Sequence, residues 1–300
     1  ELLAQERLKE SAGPLAQRTR HLATLPGRMG GLGLHSAVRS AHGAYWASWI
    51  DALPVMSARA PEMRHVGALR DEASQPPACL AEARDAAARL TGEGLEDPPT
   101  WEQALQGAHP PKGQGTVEEP GIGSHGWQYH ACGATYTTFS QRHFQPSLGP
   151  RHRALLHSQS GPLAARALTA LPTVPATRSR PERFQVILRR RLWLSLPLAP
   201  RRCPGRTCRA YLDRHGHHLA ACPRTGLLKR RSRPIERAWA QVFREAGARV
   251  VDNQLLRDTG VPGIRPTDQR ALEVVAYDLP LYSGMPLCCD ATLVSPLTRE

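Results

Sequence analysis

The 300-residue sequence has no run of 18 apolar residues, and this absence excludes a membrane-spanning helix. Its first residues include Glu6, Lys9 and Glu10, which is not the pattern of a secretory signal peptide. The first methionine is Met29, so we expect the chain to be a piece of a longer open reading frame. These absences favour an intracellular protein, nuclear or cytoplasmic, that does not bind membranes.

Lysine is scarce, with three residues among 39 basic ones, so nearly all positive charge is arginine. The charge is also local. Residues 151–250 contain 22 Lys and Arg against four acidic residues, a net charge of +18, which leaves −5 on the rest of a chain whose total is +13. Codon bias can raise arginine over lysine, but it does not explain the clustering. A local basic field is typical of proteins that bind DNA or RNA.

A disulfide framework is not expected, because the number of cysteines, seven, is odd and the sequence shows no signal peptide. Three of them instead fall within twenty residues, in the order Cys203-x4-Cys208-x8-His217-x4-Cys222. Four such ligands suit tetrahedral zinc. We therefore predict a CCHC zinc knuckle over 201–224. Spacing selects His217 as the fourth ligand but leaves the neighbouring His215 and His218 as alternatives.

Helical periodicity predicts a mostly helical N-terminal two-thirds. An apolar stripe that includes Trp46, Ile50 and Leu53 predicts one helix after a cap at Ser36. Further helices are expected over 2–25, 60–74, 78–92, 133–148 and 161–172, with a Gly- and Pro-rich linker over 106–126.

A basic segment over 181–198 predicts an amphipathic helix whose apolar side includes Phe184 and Ile187 and whose other side carries arginines. We expect this helix and the charges around the knuckle to contact phosphates. The predicted nucleic-acid-binding residues are Arg189, Arg190, Arg191, Arg201, Arg202, Lys229, Arg230 and Arg231.

The last seventy residues change character. Ser232 and Pro234 predict the start of a helix. Its predicted buried face consists of Ile235, Trp239, Val242, Phe243 and Ala246. Apolar runs at 248–251, 272–276 and 287–294 predict strands. The expected fold class is therefore α+β, with a small C-terminal α/β domain.

Two separated regions resemble non-LTR retrotransposon reverse transcriptases. The segment Gly-Gly-Leu-Gly-Leu at 30–34, followed by Ala-Tyr-Trp-Ala-Ser-Trp at 44–49, resembles the part after the palm. The knuckle followed by a helix and strands resembles the C-terminal arrangement of site-specific members. The resemblance implies a helical thumb-like segment over 1–105, a helical basic segment over 127–200, and a restriction-endonuclease-like domain over 230–300. The polymerase's Asp-Asp pair occurs nowhere in the sequence, so this fragment is not expected to polymerise DNA.

The resemblance also implies carboxylates that hold Mg²⁺ or Mn²⁺ for DNA cleavage. Glu236, Glu273 and Asp290 are the predicted catalytic residues, and Asp268 in Arg-Pro-Thr-Asp is the alternative to Glu273. Such sites often add a lysine, but Thr292 occupies the position expected for it. Arg270 and Arg299 are the basic residues that could take the place of this lysine.

Three functions follow from these expectations. The first is a metal-dependent endonuclease that nicks target DNA for reverse transcription. The second is a non-catalytic, zinc-dependent RNA- or DNA-binding module. The third is a degenerate retroelement remnant without activity. The sequence does not choose between DNA and RNA, and it does not give the target sequence or the oligomeric state.

Overall fold

The computed structural model describes residues 13–60, 78–110, 126–173, 175, 178–199, 201–290 and 297. These residues form two compact units, Glu1–Leu194 and Ser195–Glu300. The chain combines helices with one small antiparallel sheet, so the predicted α+β class is confirmed. Among the described residues, no helix has both the length and the apolar composition needed to cross a bilayer. The finer domain boundaries at 105, 126 and 224 stay predictions.

The first unit is helical. Its helices are α1 (Pro14–Thr24), α2 (Ala37–Arg59), α3 (Ala78–Gly92), α4 (Trp101–Leu105), α5 (Trp127–Thr138), α6 (Pro150–Ser158), α7 (Arg166–Thr169) and α8 (Pro181–Arg191). A π-helical turn over Phe139–Phe144 continues α5. The predicted helix over 78–92 is confirmed, and the one predicted over 60–74 lies outside the described residues except at its first position.

Two apolar clusters form the core of this unit. In the first, Trp46 from α2 meets Trp127 from α5 edge-to-face, with ring centroids 5.6 Å apart. In the second, Phe144 stacks on Trp193 at 6.4 Å. The stripe predicted for α2 is buried at Trp46, Ile50 and Leu53, as its spacing indicates.

The helix predicted over 161–172 is shorter in the structure. Only Arg166–Thr169 are helical, because Gly161 has a φ of 133° and the chain turns through 161–165 before the helix begins. The N–H of Gly161 donates to the carbonyl of Arg28 at 2.8 Å, which ties this turn to the glycine-rich turn of the same unit. The Gly-Pro pair therefore marks a turn and not a helix entry.

Helix α8 covers the first eleven residues of the predicted segment 181–198 and ends at Arg191. Its apolar side is not covered within the described residues. Phe184 is 39% exposed and Ile187 is 42% exposed, and no residue of the helix is buried. Leu192 and Trp193, which directly follow it, join the second core cluster of the unit. The helix is thus anchored through its C-terminal end.

The second unit contains α9 (His217–Ala221), α10 (Leu227–Glu245), β1 (Arg249–Leu255), β2 (Ala271–Tyr277) and β3 (Leu287–Cys289). The strands lie in the order β1-β2-β3 with antiparallel pairing. The register places Val250 opposite Ala276 and Val274 opposite Cys289. All three predicted runs contain a strand, although β1 extends four residues beyond its run and β3 covers only the first three residues of 287–294. Asp290 follows the strand, and 291–294 lie outside the described residues.

Helix α10 packs on this sheet through small and aromatic side chains. Ala240 and Phe243 are buried against Val274 and Ala276. Phe243 is buried as predicted, but the other residues of the predicted face are exposed: Ile235, Trp239, Val242 and Ala246. Because alanine lets the helix approach the sheet closely, the buried face is centred on Ala240 and Phe243. Trp239 is 50% exposed.

The start of α10 also differs from the prediction. The helix begins at Leu227, so Ser232 is not its cap and Pro234 lies inside it. Gly226 precedes the helix in a left-handed conformation, with a φ of 68°. Ser232 is buried instead, and its hydroxyl donates to the carbonyl of Lys229 at 3.1 Å.

Candidate metal centre and carboxylate cleft

A tight backbone turn brings the first two cysteines of the predicted knuckle together. Arg202 and Tyr211 form an antiparallel bridge, and the N–H of Cys203 donates to the carbonyl of Ala210 at 2.9 Å. At the tip, the N–H of Cys208 donates to the carbonyl of Gly205 at the same distance. The chain therefore doubles back between the two thiols.

The carboxylate of Asp213 positions the histidine end. It accepts hydrogen bonds from the backbone N–H groups of His215 at 3.0 Å, His217 at 3.1 Å and His218 at 2.7 Å. These bonds satisfy donors at the start of α9, as a helix cap does. Burial raises the pKa of Asp213, but the three N–H donors outweigh it and hold the pKa below its usual value.

The four ligand atoms of Cys203, Cys208, His218 and Cys222 all lie within 4.8 Å of one another. The sulfurs of Cys203 and Cys222 are 3.7 Å apart. Cys208 Sγ lies 3.3 Å from His218 Nε2. Zinc–sulfur bonds of about 2.3 Å at tetrahedral angles require sulfurs about 3.8 Å apart. The cluster can therefore hold a metal such as zinc.

The fourth ligand differs from the one chosen by spacing. The structure brings His218, not His217, to the three cysteines. Neighbouring residues of a helix point about 100° apart, so the helix that starts at His217 directs only one of the two inward. His217 lies instead beside His215, with ring centroids 5.6 Å apart.

Backbone N–H groups two residues downstream donate to two of the thiols. The N–H of Gly205 lowers the pKa of Cys203, but burial and the thiols of Cys222 and Cys208 together raise it above its usual value. The N–H of Ala210 lowers the pKa of Cys208 and prevails over burial there. Donors aimed at sulfur stabilise the thiolate, which is the form that binds a metal.

The knuckle continues directly into α10. Cys222 is followed by a short 3-10 turn over Pro223–Thr225, and α10 begins two residues later. Arg224 donates to the carbonyl of Thr207 at 2.6 Å. Arg231 donates to the carbonyl of Ala220 at 2.7 Å. Arg224 thus ties the loop between Cys203 and Cys208 to the turn before α10, and Arg231 ties α9 to the first part of α10.

The predicted nucleic-acid-binding cations fall into two groups. Arg191 points inward and donates to the carbonyls of Gly31 at 2.9 Å, Ala164 at 3.1 Å and Gly27 at 2.9 Å, so its assignment to phosphate contact is corrected to a structural clamp. Burial lowers its pKa. The remaining predicted cations are exposed: Arg189, Arg190, Arg201, Arg202, Lys229, Arg230 and Arg231.

The predicted catalytic carboxylates line one cleft of about 310 Å³, together with Trp239 and Cys289. Glu236 comes from α10 and Glu273 from β2. The register that pairs Val274 with Cys289 places Glu273 opposite Asp290 one residue further along. Among the described residues, only the knuckle brings three or more ligand groups within 4.8 Å, so these carboxylates share the cleft without converging on one point.

Asp268, the alternative to Glu273, is not among the residues that line this cleft. Its carboxylate accepts from the Arg270 guanidinium at 2.7 and 3.1 Å and from the Arg270 backbone N–H at 2.9 Å. The Arg270 side chain lowers the pKa of Asp268 to about 2. Thr292 and Arg299 lie outside the described residues.

Two residues of these sites were not selected from the sequence. Asp213 carried a usable signal, because an Asp side chain in a turn typically accepts from the backbone N–H two residues on, which here is that of His215. Trp239 gave no such signal, because its helical spacing is that of a core residue.

Comparison of the chain with protein-family models, with curated proteins and with solved structures gave no match.

Proposed function

We propose that this chain is a zinc-dependent nucleic-acid-binding region of a non-LTR retrotransposon polyprotein, acting on DNA or RNA in the nucleus. The observation that supports it is a Cys3His cluster inside a stretch of the chain with a net charge of +18. Such a cluster is too small to fold on an apolar core, so metal binding supplies its folding free energy.

The surface of the knuckle suits a polynucleotide. Arg201, Arg206 and Arg209 are exposed beside the buried thiols. The guanidinium of Arg202 lies 5.2 Å from the ring centroid of Tyr211, which is 69% exposed. Arginines pair with phosphates, and an exposed aromatic ring offers a face on which a base stacks. Metal therefore acts through structure: it holds these side chains in one arrangement.

The test compares two cysteine variants in zinc-loaded protein. Cys208→Ser removes a ligand, whereas Cys79→Ser changes an exposed cysteine outside the cluster. We expect Cys208→Ser to lower zinc content and weaken binding of labelled DNA and RNA oligonucleotides, with a shallower salt dependence. Cys79→Ser should match the parent. Equal binding by both variants would rule out the knuckle as the binding element.

A second candidate function is metal-dependent DNA nicking, with Mg²⁺ or Mn²⁺ as cofactor. It is favoured by the cleft that Glu236, Glu273 and Asp290 share. A divalent cation held there would lower the pKa of a water and neutralise phosphate charge. The carboxylates must move closer to bind one ion, so this candidate requires a rearrangement on metal binding.

Nicking of supercoiled plasmid by zinc-loaded protein in Mg²⁺ or Mn²⁺ tests this candidate. Activity that disappears in Asp290→Asn and in Glu273→Gln, while DNA binding persists, would support it. Retained DNA binding without nicking would leave a non-catalytic module. A chain that neither binds nor unfolds cooperatively on zinc addition would be a degenerate remnant.

A further inference from the structure

The first unit contains an open groove of about 1380 Å³ that is not part of the knuckle or of the carboxylate cleft. Most of its lining comes from the glycine-rich turn at 26–29, from α5 and from the turn and short helix over 161–169, and α2 adds Ser40 and Asp51. The volume exceeds the roughly 300–1,000 Å³ of typical small-molecule pockets. The groove is therefore dimensioned for an extended ligand and not for a single small molecule.

The charges along the groove are mostly positive. Arg28 and Arg166 line it and are exposed, and Asp51 is the one acidic residue in its lining. Within the described ranges, neither arginine forms an ion pair with a carboxylate. Two guanidinium groups on one surface without carboxylate partners favour an anionic ligand.

An aromatic ring lies beside one of these cations. Tyr129 is 43% exposed, and Arg28 Nη1 donates to its hydroxyl at 3.0 Å. The Arg28 guanidinium carbon lies 5.8 Å from the ring centroid. A guanidinium beside an exposed ring presents a phosphate contact next to a stacking face, the combination that binds unpaired nucleotides.

The groove is also rigid at this end. The Arg191 guanidinium donates to the carbonyls of Gly27 and Gly31 and so fixes the turn that lines the groove. A Cβ on Gly27 would collide with the Cβ of Ala165, so the two walls are in close contact there. A preformed wall reduces the entropy lost on binding a flexible strand.

We propose that this groove binds a segment of single-stranded nucleic acid, with phosphates on Arg28 and Arg166 and one base stacked on Tyr129. Every residue in its lining lies in the unit Glu1–Leu194, so the site does not depend on the zinc cluster. It is a second binding site, beyond the function proposed for the knuckle.

The test measures binding of fluorescein-labelled oligo(dT) by anisotropy, using the full chain loaded with zinc. Arg28→Ala/Arg166→Ala should weaken binding and reduce the salt slope by about 1.4, as expected for two lost contacts to a single strand. Arg153→Ala removes an exposed arginine of α6 that does not line the groove, and it should leave both unchanged.

Two tyrosine variants separate stacking from charge. Tyr129→Ala should weaken oligo(dT) binding about tenfold, whereas Tyr129→Phe keeps the ring and should remain near the parent value. Circular dichroism and thermal melting confirm that each variant folds. Equal binding by Tyr129→Ala, or polyglutamate competing as well as oligo(dT), would overturn the proposal in favour of a site for acidic chains in general.

Failure of this site is distinguishable from failure of the knuckle. If Cys208→Ser abolishes all binding, the groove is not an independent site and the inference is wrong. If Cys208→Ser binds oligo(dT) with the affinity of the parent while Arg28→Ala/Arg166→Ala binds it more weakly, the groove is supported as a binding site and the proposal for the knuckle is wrong. Parent-like affinity and salt slope in Arg28→Ala/Arg166→Ala would overturn the groove.

Discussion

Single residues decide which imidazole joins the cysteines. The Asp213 carboxylate fixes the backbone at the start of α9, and from there the direction of each side chain follows from helical geometry. His218 Nε2 reaches Cys208 Sγ at 3.3 Å, whereas His217 lies beside His215. The choice therefore depends on a hydrogen-bonded turn that residue spacing does not describe.

We expect His218→Ala to lower zinc affinity by more than the roughly 10- to 100-fold that follows loss of a ligand's hydrogen-bond partner. His217→Ala is the matched control and should keep the affinity of the parent. The visible absorption of the Co²⁺-substituted protein reports the ligand set, because tetrahedral thiolate coordination gives intense bands. A larger effect from His217→Ala would contradict the geometry.

Asp268 and Arg270 give a pH prediction. The pKa of Asp268 is held near 2, below its reference value of 3.8, by the Arg270 side chain. A lowered pKa in the folded protein stabilises the fold above the unfolded pKa, and this contribution is lost as the pH falls from about 4 through 2. Carbon-13 NMR titration should find the low pKa in the parent and a clearly higher pKa in Arg270→Ala, where only the backbone N–H of residue 270 still donates to the carboxylate. An unchanged pKa in the variant would disprove the pairing.

Residue-level prediction from the sequence succeeded for the three cysteines and failed for some charged groups. Cysteine spacing limits how a short chain can fold around a metal, so the spacing carries the information. Arg191 could not be distinguished from Arg189 and Arg190 in this way. Its carbonyl partners Gly27 and Ala164 are far away in sequence, and no local pattern reports such contacts.

At the scale of elements, α10 connects the knuckle to the cleft. Arg231 ties its first part to the carbonyl of Ala220 in α9, and Phe243 ties its last part to the sheet. Pro234 lies between these anchors and cannot donate the backbone hydrogen bond of a helical residue. The first part of α10 should therefore depend on the knuckle for its order.

We expect Arg231→Ala to lower the free energy of unfolding of the zinc-loaded chain by about 1 kcal/mol, because one hydrogen bond to a carbonyl is lost. Arg230→Ala changes the adjacent exposed arginine and should have little effect. Amide hydrogen exchange should show faster exchange over 227–233 in Arg231→Ala alone. Equal exchange rates in the two variants would argue against the contact.

The elements themselves were largely predictable, and their faces were not. Periodicity predicted α2, α3 and the first part of the segment that forms α8, and apolar runs of strand length predicted β1, β2 and β3. For α10 it assigned Trp239 to the interior, because a hydrophobic stripe does not specify where a small residue such as Ala240 allows close approach. The extra turns before Ser232 were missed because serine followed by proline is typical of a helix start.

At the scale of the whole molecule, the chain divides into Glu1–Leu194 and Ser195–Glu300, and the Cys3His cluster lies entirely in the second unit. Each unit has its own apolar core: two clusters, around Trp46 and around Phe144, in the first, and one cluster around Phe243 in the second. Zinc should therefore affect the stability of one unit and leave the other as it is.

Calorimetry with and without a chelator tests this expectation. A thousandfold excess of zinc over its dissociation constant stabilises a binding fold by about 4 kcal/mol. For a unit of this size, chelation should lower one transition by about 15–30 °C and leave the second in place. A single transition that shifts as a whole would mean that the two units unfold together.

The short junction between the knuckle and α10 means that the number of residues in it sets the direction in which the side chains of α10 point. Each residue added to a helix rotates everything after it by 100° and advances it by 1.5 Å. One alanine inserted between Arg231 and Glu236 would therefore leave the zinc ligands intact. It would either rotate the Glu236 carboxylate out of its cleft or move Phe243 away from the sheet. The spacing of fourteen positions from Cys222 to Glu236 thus fixes the rotation of Glu236 about the helix axis relative to the knuckle. Chains that share this architecture should tolerate substitutions in this segment far better than changes in its length.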